Sequence, residues 1–282
     1  MGKNRPRKSV FVFHSQITYL YHFFMPNEHH IELPAEKKIF FASDFHLGAP
    51  NPEVSKQRER IIVQWLTQIQ TNAHCIFLVG DIFDFWFEYK YVIPKGFIRF
   101  QGKIAELVDK GIQFHLFTGN HDLWMFGYFT QELGIPIYTT PQTFIINNKT
   151  KILIGHGDGL GPGDYNYKRI KKIFTNPLAQ WLFKQLHPDW GVALAQFWSS
   201  KSRAKNAHLE EKFLGEREQL WQYCKAQEQK KHHDFYIFGH RHLAVDIEIA
   251  PNSRYINLGE WFKRQSFAYL ENTRIYLTTF QP

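Results

Sequence analysis

Five polar clusters in the chain carry side chains able to bind metal ions or move protons: Ser43-Asp44-Phe45-His46, Gly80-Asp81-Ile82-Phe83-Asp84, Gly119-Asn120-His121-Asp122, Gly155-His156-Gly157-Asp158 and Gly239-His240-Arg241-His242. Taken singly, each has an ordinary explanation. Asp44 or Asp81 can cap a helix or a turn. Asn120 after a glycine suits a turn, and a lone His156 is more often a hydrogen-bonded histidine than a ligand. His240 and His242 alternate, so at a strand end they face the same side. Five such clusters, each closing a short apolar run, are hard to account for as independent turns.

If the clusters converge, charge dictates the chemistry. Two carboxylates about 4 Å apart repel by roughly 4 kcal/mol at an effective dielectric near 20, and burial adds to that cost. A cation removes the conflict. Imidazoles and carboxylates without cysteine suit a divalent ion such as Mn²⁺, Fe²⁺ or Zn²⁺, and the histidines argue against a pure Mg²⁺ or Ca²⁺ cage. A cation held in this way can activate a water molecule for hydrolysis.

The elements that must position these residues are short β-branched or aromatic runs at 38–42, 75–79, 113–117, 150–154 and 234–238, which read as buried strands ending in turns. Helical spacing over 53–70, with Ile61, Ile62, Trp65, Leu66 and Ile69 on one face, and over 97–108 separates the first three. Strand and helix alternating in this way imply an α/β fold with a mostly parallel core sheet. Ligands collect beyond the carboxyl ends of such strands, so the clusters should meet there. After residue 243 the pattern changes to alternating strands at 244–249, 254–257, 267–270 and 274–279, expected to pair antiparallel in a second sheet. Residues 160–231 show no strand pattern and read as a helical cap inserted between two motif-bearing strands. The expected organisation is an N-terminal extension over 1–37 and one catalytic domain over 38–282 containing that cap.

Composition narrows the class. A chain of 282 residues, 44% of them hydrophobic, buries a full core. Cys75 and Cys224 make no zinc-ligand spacing and at most one disulfide. No apolar run approaches the roughly 20 residues that span a bilayer. Lys3, Arg5, Arg7 and Lys8 precede an apolar stretch in the manner of a secretory signal, but His14, Ser15, Gln16, Thr18 and His22 interrupt it. Residues 1–24 carry no motif and are expected to be dispensable. The net charge of +8 points to anionic partners, and it is concentrated. Between 160 and 205 stand Lys168, Arg169, Lys171, Lys172, Lys184, Lys201, Arg203 and Lys205 against Asp164 and Asp189.

The clusters follow, in order, the pattern D-x-H, G-D-x-x-D, G-N-H-[DE], G-H and G-H-x-H, and over about residues 38–260 the chain resembles the calcineurin-like metallophosphoesterases. The resemblance implies a four-layer α/β/β/α sandwich. It implies that Asp44, His46, Asp81 and His242 hold one metal ion and Asp81, Asn120, His156 and His240 the other, with Asp81 as the bridge. Two ions about 3.5–4 Å apart can activate a shared water and clamp phosphoryl oxygens during in-line attack. His121 would then donate to a phosphoryl or leaving-group oxygen, and Asp84 would orient it.

The residues around the motifs, Gly80 to Trp86, His156-Gly157-Asp158-Gly159 and the cap, are similar to the UDP-2,3-diacylglucosamine hydrolases of lipid A biosynthesis. That likeness implies cleavage of a UDP-linked diacyl sugar lipid by a cytoplasmic enzyme peripheral to the inner membrane, in contact with its anionic surface. Asn120, His121, Asp164, Tyr167, Ser200 and Lys201 would bind the substrate, the last two near the lipid phosphate. One departure is His121, which stands where the best-known form of that group has Arg. The alternatives are a phosphoesterase acting on another phosphodiester, a nucleotide or a phosphoprotein, and an interaction scaffold. A scaffold is expected to have lost ligands, and none is missing. A nucleic-acid partner is not expected, because the aromatics of the cap keep helical core spacing instead of interleaving with a basic groove.

Overall fold

The computed structural model describes residues 28–206 and 212–282. The chain runs β1 (Glu28–Ile31), β2 (Lys38–Ala42), α1 (Pro52–Ile69), β3 (Ala73–Val79), α2 (Ile98–Asp109), β4 (Gln113–Phe117), α3 (Tyr128–Leu133), β5 (Ile137–Tyr138), β6 (Gln142–Ile146) and β7 (Thr150–Gly155). It continues through α4 (Tyr165–Phe174), α5 (Pro177–Lys184), α6 (Pro188–Asn206), α7 (Gln219–Glu228), β8 (Phe235–Phe238), β9 (Ala244–Ala250), β10 (Ser253–Leu258), β11 (Ser266–Glu271) and β12 (Arg274–Thr279). Local chemistry sets the boundaries of α1: the Asn51 side chain accepts from Val54 N, Pro52 opens the first turn and Glu53 faces the helix dipole.

Two six-stranded sheets stack, in the orders β12-β11-β2-β3-β4-β5 and β1-β6-β7-β8-β10-β9. Ile39, Phe41, Phe77 and Val79 of the first interlock with Phe144, Ile152, Ile154 and Ile237 of the second to fill the space between them. The opposite face of the first sheet packs Phe40, Ile76 and Leu116 against Ile62, Trp65 and Leu66 of α1 and Phe100, Ile104 and Leu107 of α2. The opposite face of the second packs Leu153, Tyr236 and Tyr255 against Leu220 and Cys224 of α7. The result is the four-layer α/β/β/α sandwich.

Three expectations are corrected. The motif strands do not share one sheet: β2, β3 and β4 lie parallel in the first, β7 and β8 parallel in the second. Nor do the last four strands form a sheet of their own. The β9–β10 hairpin joins the second sheet through β8, and the β11–β12 hairpin joins the first through β2. Ile256 and Leu258 on β10, and Ala268 and Leu270 on β11, all face the inter-sheet core, so each hairpin both pairs an edge and buries an apolar face. Finally, the N-terminal extension is shorter than 1–37 at its inner end. Strand β1 pairs parallel with β6, from Glu28↔Thr143 to Ile31↔Ile146, and Ile31 and Leu33 enter the core. The polar Glu28-His29-His30 concealed that strand. Residues 1–27 lie outside the described residues.

Between β7 and β8 the chain forms the helices α4 to α7, and the apolar spacing of α4 and α5 does not build a core. No residue of α4 or α5 is fully buried; Leu178, Trp181 and Trp190 are 65, 56 and 72% exposed. Among the described residues no helix is long and apolar enough to cross a membrane.

Candidate metal centre

The loops that leave β2 and β3 run side by side, with Asp44 N donating to Gly80 O at 3.1 Å and His46 N to Asp81 O at 2.9 Å. The loops of the other sheet are tied in the same way, Gly239 N donating to His156 O at 2.9 Å. To turn their side chains inward, Asp44, His46, Asp81, His240 and His242 all take positive φ, between 42° and 69°. For residues other than glycine this region costs about 1–3 kcal/mol each, strain that the surrounding structure must hold. Two glycines make room. A Cβ on Gly119 would sit 2.2 Å from Asp81 Oδ1, and one on Gly239 would sit 2.5 Å from Asp44 Oδ2.

Ligand atoms of Asp44, His46, Asp81 and His242 come within 4.8 Å of one another, as do those of Asp81, His156 and His240. Asp81 belongs to both groups: its Oδ2 lies 3.6 Å from His46 Nε2 and 3.3 Å from His156 Nε2. Asn120 Oδ1 is buried without a hydrogen-bond partner. So are Asp44 Oδ1, although His242 Nε2 is 3.1 Å away, and His156 Nε2. Buried polar atoms are ordinarily paired. Atoms this close yet misaligned for hydrogen bonding are placed to share an ion, and the donor set fits a dinuclear site.

The electrostatics agree. Burial works to raise the Asp81 carboxyl, but His156, His121 and His46 outweigh it and hold it well below the usual carboxylate range. Burial likewise opposes a charged His156, yet the Asp81 carboxylate overcomes it and raises the imidazole to about 10. His240 is pushed down to about 4 by burial and then by His156. The paired carboxylates thus demand positive charge, which a bound cation can supply while the imidazoles stay neutral ligands. Outer contacts fix the ligands: His156 Nδ1 meets Val79 O at 2.9 Å, leaving Nε2 for a metal, and Asp44 Oδ2 accepts from His240 N at 3.0 Å.

His121 sits beside this centre. Its Nδ1 is 3.1 Å from the backbone oxygen of Asp84 and 3.6 Å from the carboxylate Oδ1, so the main chain of Asp84 holds it more closely than the side chain that the motif singled out. At the cap, Asp164 is exposed at the head of α4, while Tyr167 turns its hydroxyl onto Asp158. Ser200 and Lys201 fall on α6, and their side chains lie outside the described residues.

Sequence reasoning passed over several residues. Asp122 accepts from Gly119 N at 2.7 Å and Ile82 N at 2.8 Å, bracing two motif loops. Asp158 receives Tyr167 and Lys171 of the cap. Both lay inside the quoted clusters, and only their burial distinguishes them. Phe262 packs over His46 and stacks on the Arg58 guanidinium, and Ser199 reaches Asp84 from α6. Nothing local marks either.

The chain is similar to known proteins along most of its length. The family model described as calcineurin-like phosphoesterase matches residues 37–244. A UDP-2,3-diacylglucosamine hydrolase of Porphyromonas gingivalis is 38% identical over 86% of this chain and 98% of its own length. One of Histophilus somni is 28% identical over 80% of this chain and 92% of its own. Among solved structures, vacuolar protein sorting 29 from Cryptosporidium parvum aligns with 87% of this chain and 98% of its own at 11% identity, with a TM-score of 0.41.

Proposed function

The chain belongs to the calcineurin-like phosphoesterase family, and from that premise we propose that it hydrolyses the diphosphate of UDP-2,3-diacylglucosamine to UMP and 2,3-diacylglucosamine 1-phosphate. The observation that supports this reading is the gathering of Asp44, His46, Asp81, His242, His156 and His240 within metal-ligand reach, in a chain that matches nearly the whole length of a relative named UDP-2,3-diacylglucosamine hydrolase.

In this reading Asp44, His46, Asp81 and His242 hold one Mn²⁺ and Asp81, Asn120, His156 and His240 the other. Two bound divalent ions would supply Lewis acidity to the phosphoryl oxygens and to the attacking water. Asn120 and His121 meet the scissile phosphate. With Nδ1 of His121 engaged by Asp84, Nε2 is the nitrogen that donates a proton to the departing phosphate oxygen. Asp164 and Tyr167 stand at the mouth of the cap, with Ser200 and Lys201 toward the lipid phosphate.

The exposed apolar side chains of the cap suit the rest of the substrate. Burying about ten methylenes of one acyl chain contributes on the order of 8 kcal/mol, an affinity source that a nucleotide phosphodiesterase does not need. The exposed Arg169, Lys172 and Lys184 support contact with an anionic membrane surface, and with it a cytoplasmic enzyme peripheral to the inner membrane.

Run in heavy-oxygen water, the reaction should put the label in UMP and leave the lipid phosphate unlabelled. Label in the lipid product would overturn the attack on the UMP-side phosphorus. Equal turnover of UDP-glucose would remove the case for a lipid substrate.

A further inference from the structure

One hydroxyl links the inserted cap to the proton-donating side of the centre. Ser199 is buried on α6, donates to Asp84 Oδ2 at 2.9 Å, and lies 3.1 Å from His121 Nδ1. A serine hydroxyl has one proton to give and lone pairs to receive another. With its proton on the Asp84 carboxylate, Oγ becomes an acceptor for Nδ1–H of His121. The nearest carboxylate oxygen, at 3.6 Å from Nδ1, is beyond hydrogen-bond reach. Side chains of the two motif residues therefore do not close on each other directly, and the hydroxyl spans the gap.

We propose that Ser199 is a positioning residue for the reaction: it fixes the tautomer and ring orientation of His121 through a carboxylate–hydroxyl–imidazole chain, so the insertion completes the proton donor as well as covering the substrate. No net proton passes through the serine. Its Oγ–H stays with Asp84, the Nδ1 proton stays on His121, and Nε2 alone exchanges with substrate. The proposal rests on the reading of His121 as the donor given above. Asp84 is thereby divided between two tasks, its carbonyl and Ser199 sharing the Nδ1 proton while its carboxylate orients the hydroxyl. Nothing in the sequence separates Ser199 from its neighbour Ser200. Only the helix facing selects it.

The test compares Ser199→Ala, Ser199→Thr, His121→Ala and the Ser199→Ala/His121→Ala double variant on aryl phosphodiesters whose leaving groups span a range of pKa, with Mn²⁺ added. Ser199→Ala should lower kcat about tenfold on the poorest leaving group, a fraction of what a general acid contributes. KM should stay within about twofold, and the best leaving group should barely respond. Threonine should restore most of the rate. In the His121→Ala background, removing the hydroxyl should cost nothing further. A loss equal across all leaving groups, a threonine variant as slow as alanine, or the same tenfold loss without His121 would overturn the proposal. These diesters carry no lipid, so failure to cleave UDP-diacylglucosamine would count against the substrate alone, whereas a His121→Ala enzyme with full rates would overturn the donor and this proposal with it.

Discussion

At the scale of the residue, the centre is organised around Asp81. Its Oδ1 accepts from His121 N at 2.8 Å, which orients the carboxylate, and its Oδ2 lies 3.6 Å from His46 Nε2 and 3.3 Å from His156 Nε2. Removing this side chain takes a ligand from both metal positions at once, while removing His242 takes one from the first group only. Asp81→Ala should therefore lose both ions, and His242→Ala should chiefly weaken one. Elemental analysis after dialysis measures this directly, and an Asp81 variant that keeps two ions would refute the bridging assignment. Alanine keeps the positive-φ strain at both positions, 52° in each case, so a melting curve of each variant accompanies the metal count.

At the scale of the element, the cap is held to the sandwich by buried polar anchors together with Phe174 and Phe183, which pack on Trp124 and Phe87. Helix α4 grips Asp158 through Tyr167 and Lys171, one turn apart, with Lys171 Nζ 2.6 Å from the carboxylate. Just before α7, Glu218 pairs with Arg241 between the two metal-facing histidines. Burial works to raise the Asp158 carboxyl, and Lys171, then His156 and His240, hold it below its ordinary range. Lys171→Met leaves that carboxylate with its counter-charge removed, which for a buried pair is costly. Since Lys171 is partly open to solvent, a loss of about 2 kcal/mol is expected, with faster proteolytic cleavage between 160 and 206. Lys171→Arg should behave as the parent. Unchanged melting and cleavage in the methionine variant would show that α4 is held by other contacts.

At the scale of the whole molecule, the two sheets meet around an imidazole that serves no metal. His115 on β4 stacks on Phe77 of β3 at 4.7 Å and packs edge-on against Phe144 of the opposite sheet. Burial, and then neighbouring His29, pushes its pKa down from 6.5 to about 3. Between those values the unfolded chain carries a proton that the folded chain refuses, so stability falls as the pH drops through this window. Above it both states are neutral, and below it both are protonated. The loss approaches roughly 5 kcal/mol at the acid end. In His115→Phe, denaturant midpoints measured from pH 7 to 4 should fall less steeply, by about one proton's worth of slope. Parallel slopes in the two proteins would assign acid sensitivity to other groups.

The sequence alone singled out side chains that the fold brings together, and the strands that carry them. A glycine-flanked polar cluster at the end of a β-branched run is a local signal, complete within six or seven residues, as at Gly80-Asp81 or Gly239-His240. Helix α1 was legible in the same local way, from the spacing of Ile61, Ile62, Trp65, Leu66 and Ile69. What the tertiary structure decided is non-local. Whether β7 or β11 joins one sheet or the other depends on which edge lies unpaired and which apolar face still needs cover, and neither is written in the strand itself. The exposure of Trp181 and Trp190 was illegible too, since a helix spaced for a core looks the same whether or not a core is there to receive it. Ser199 lies 78 residues from His121 along the chain and meets it only because α6 lays one particular face against the motif loops. Spacing can name a ligand, but a hydrogen bond across such a separation exists only once packing has fixed both ends.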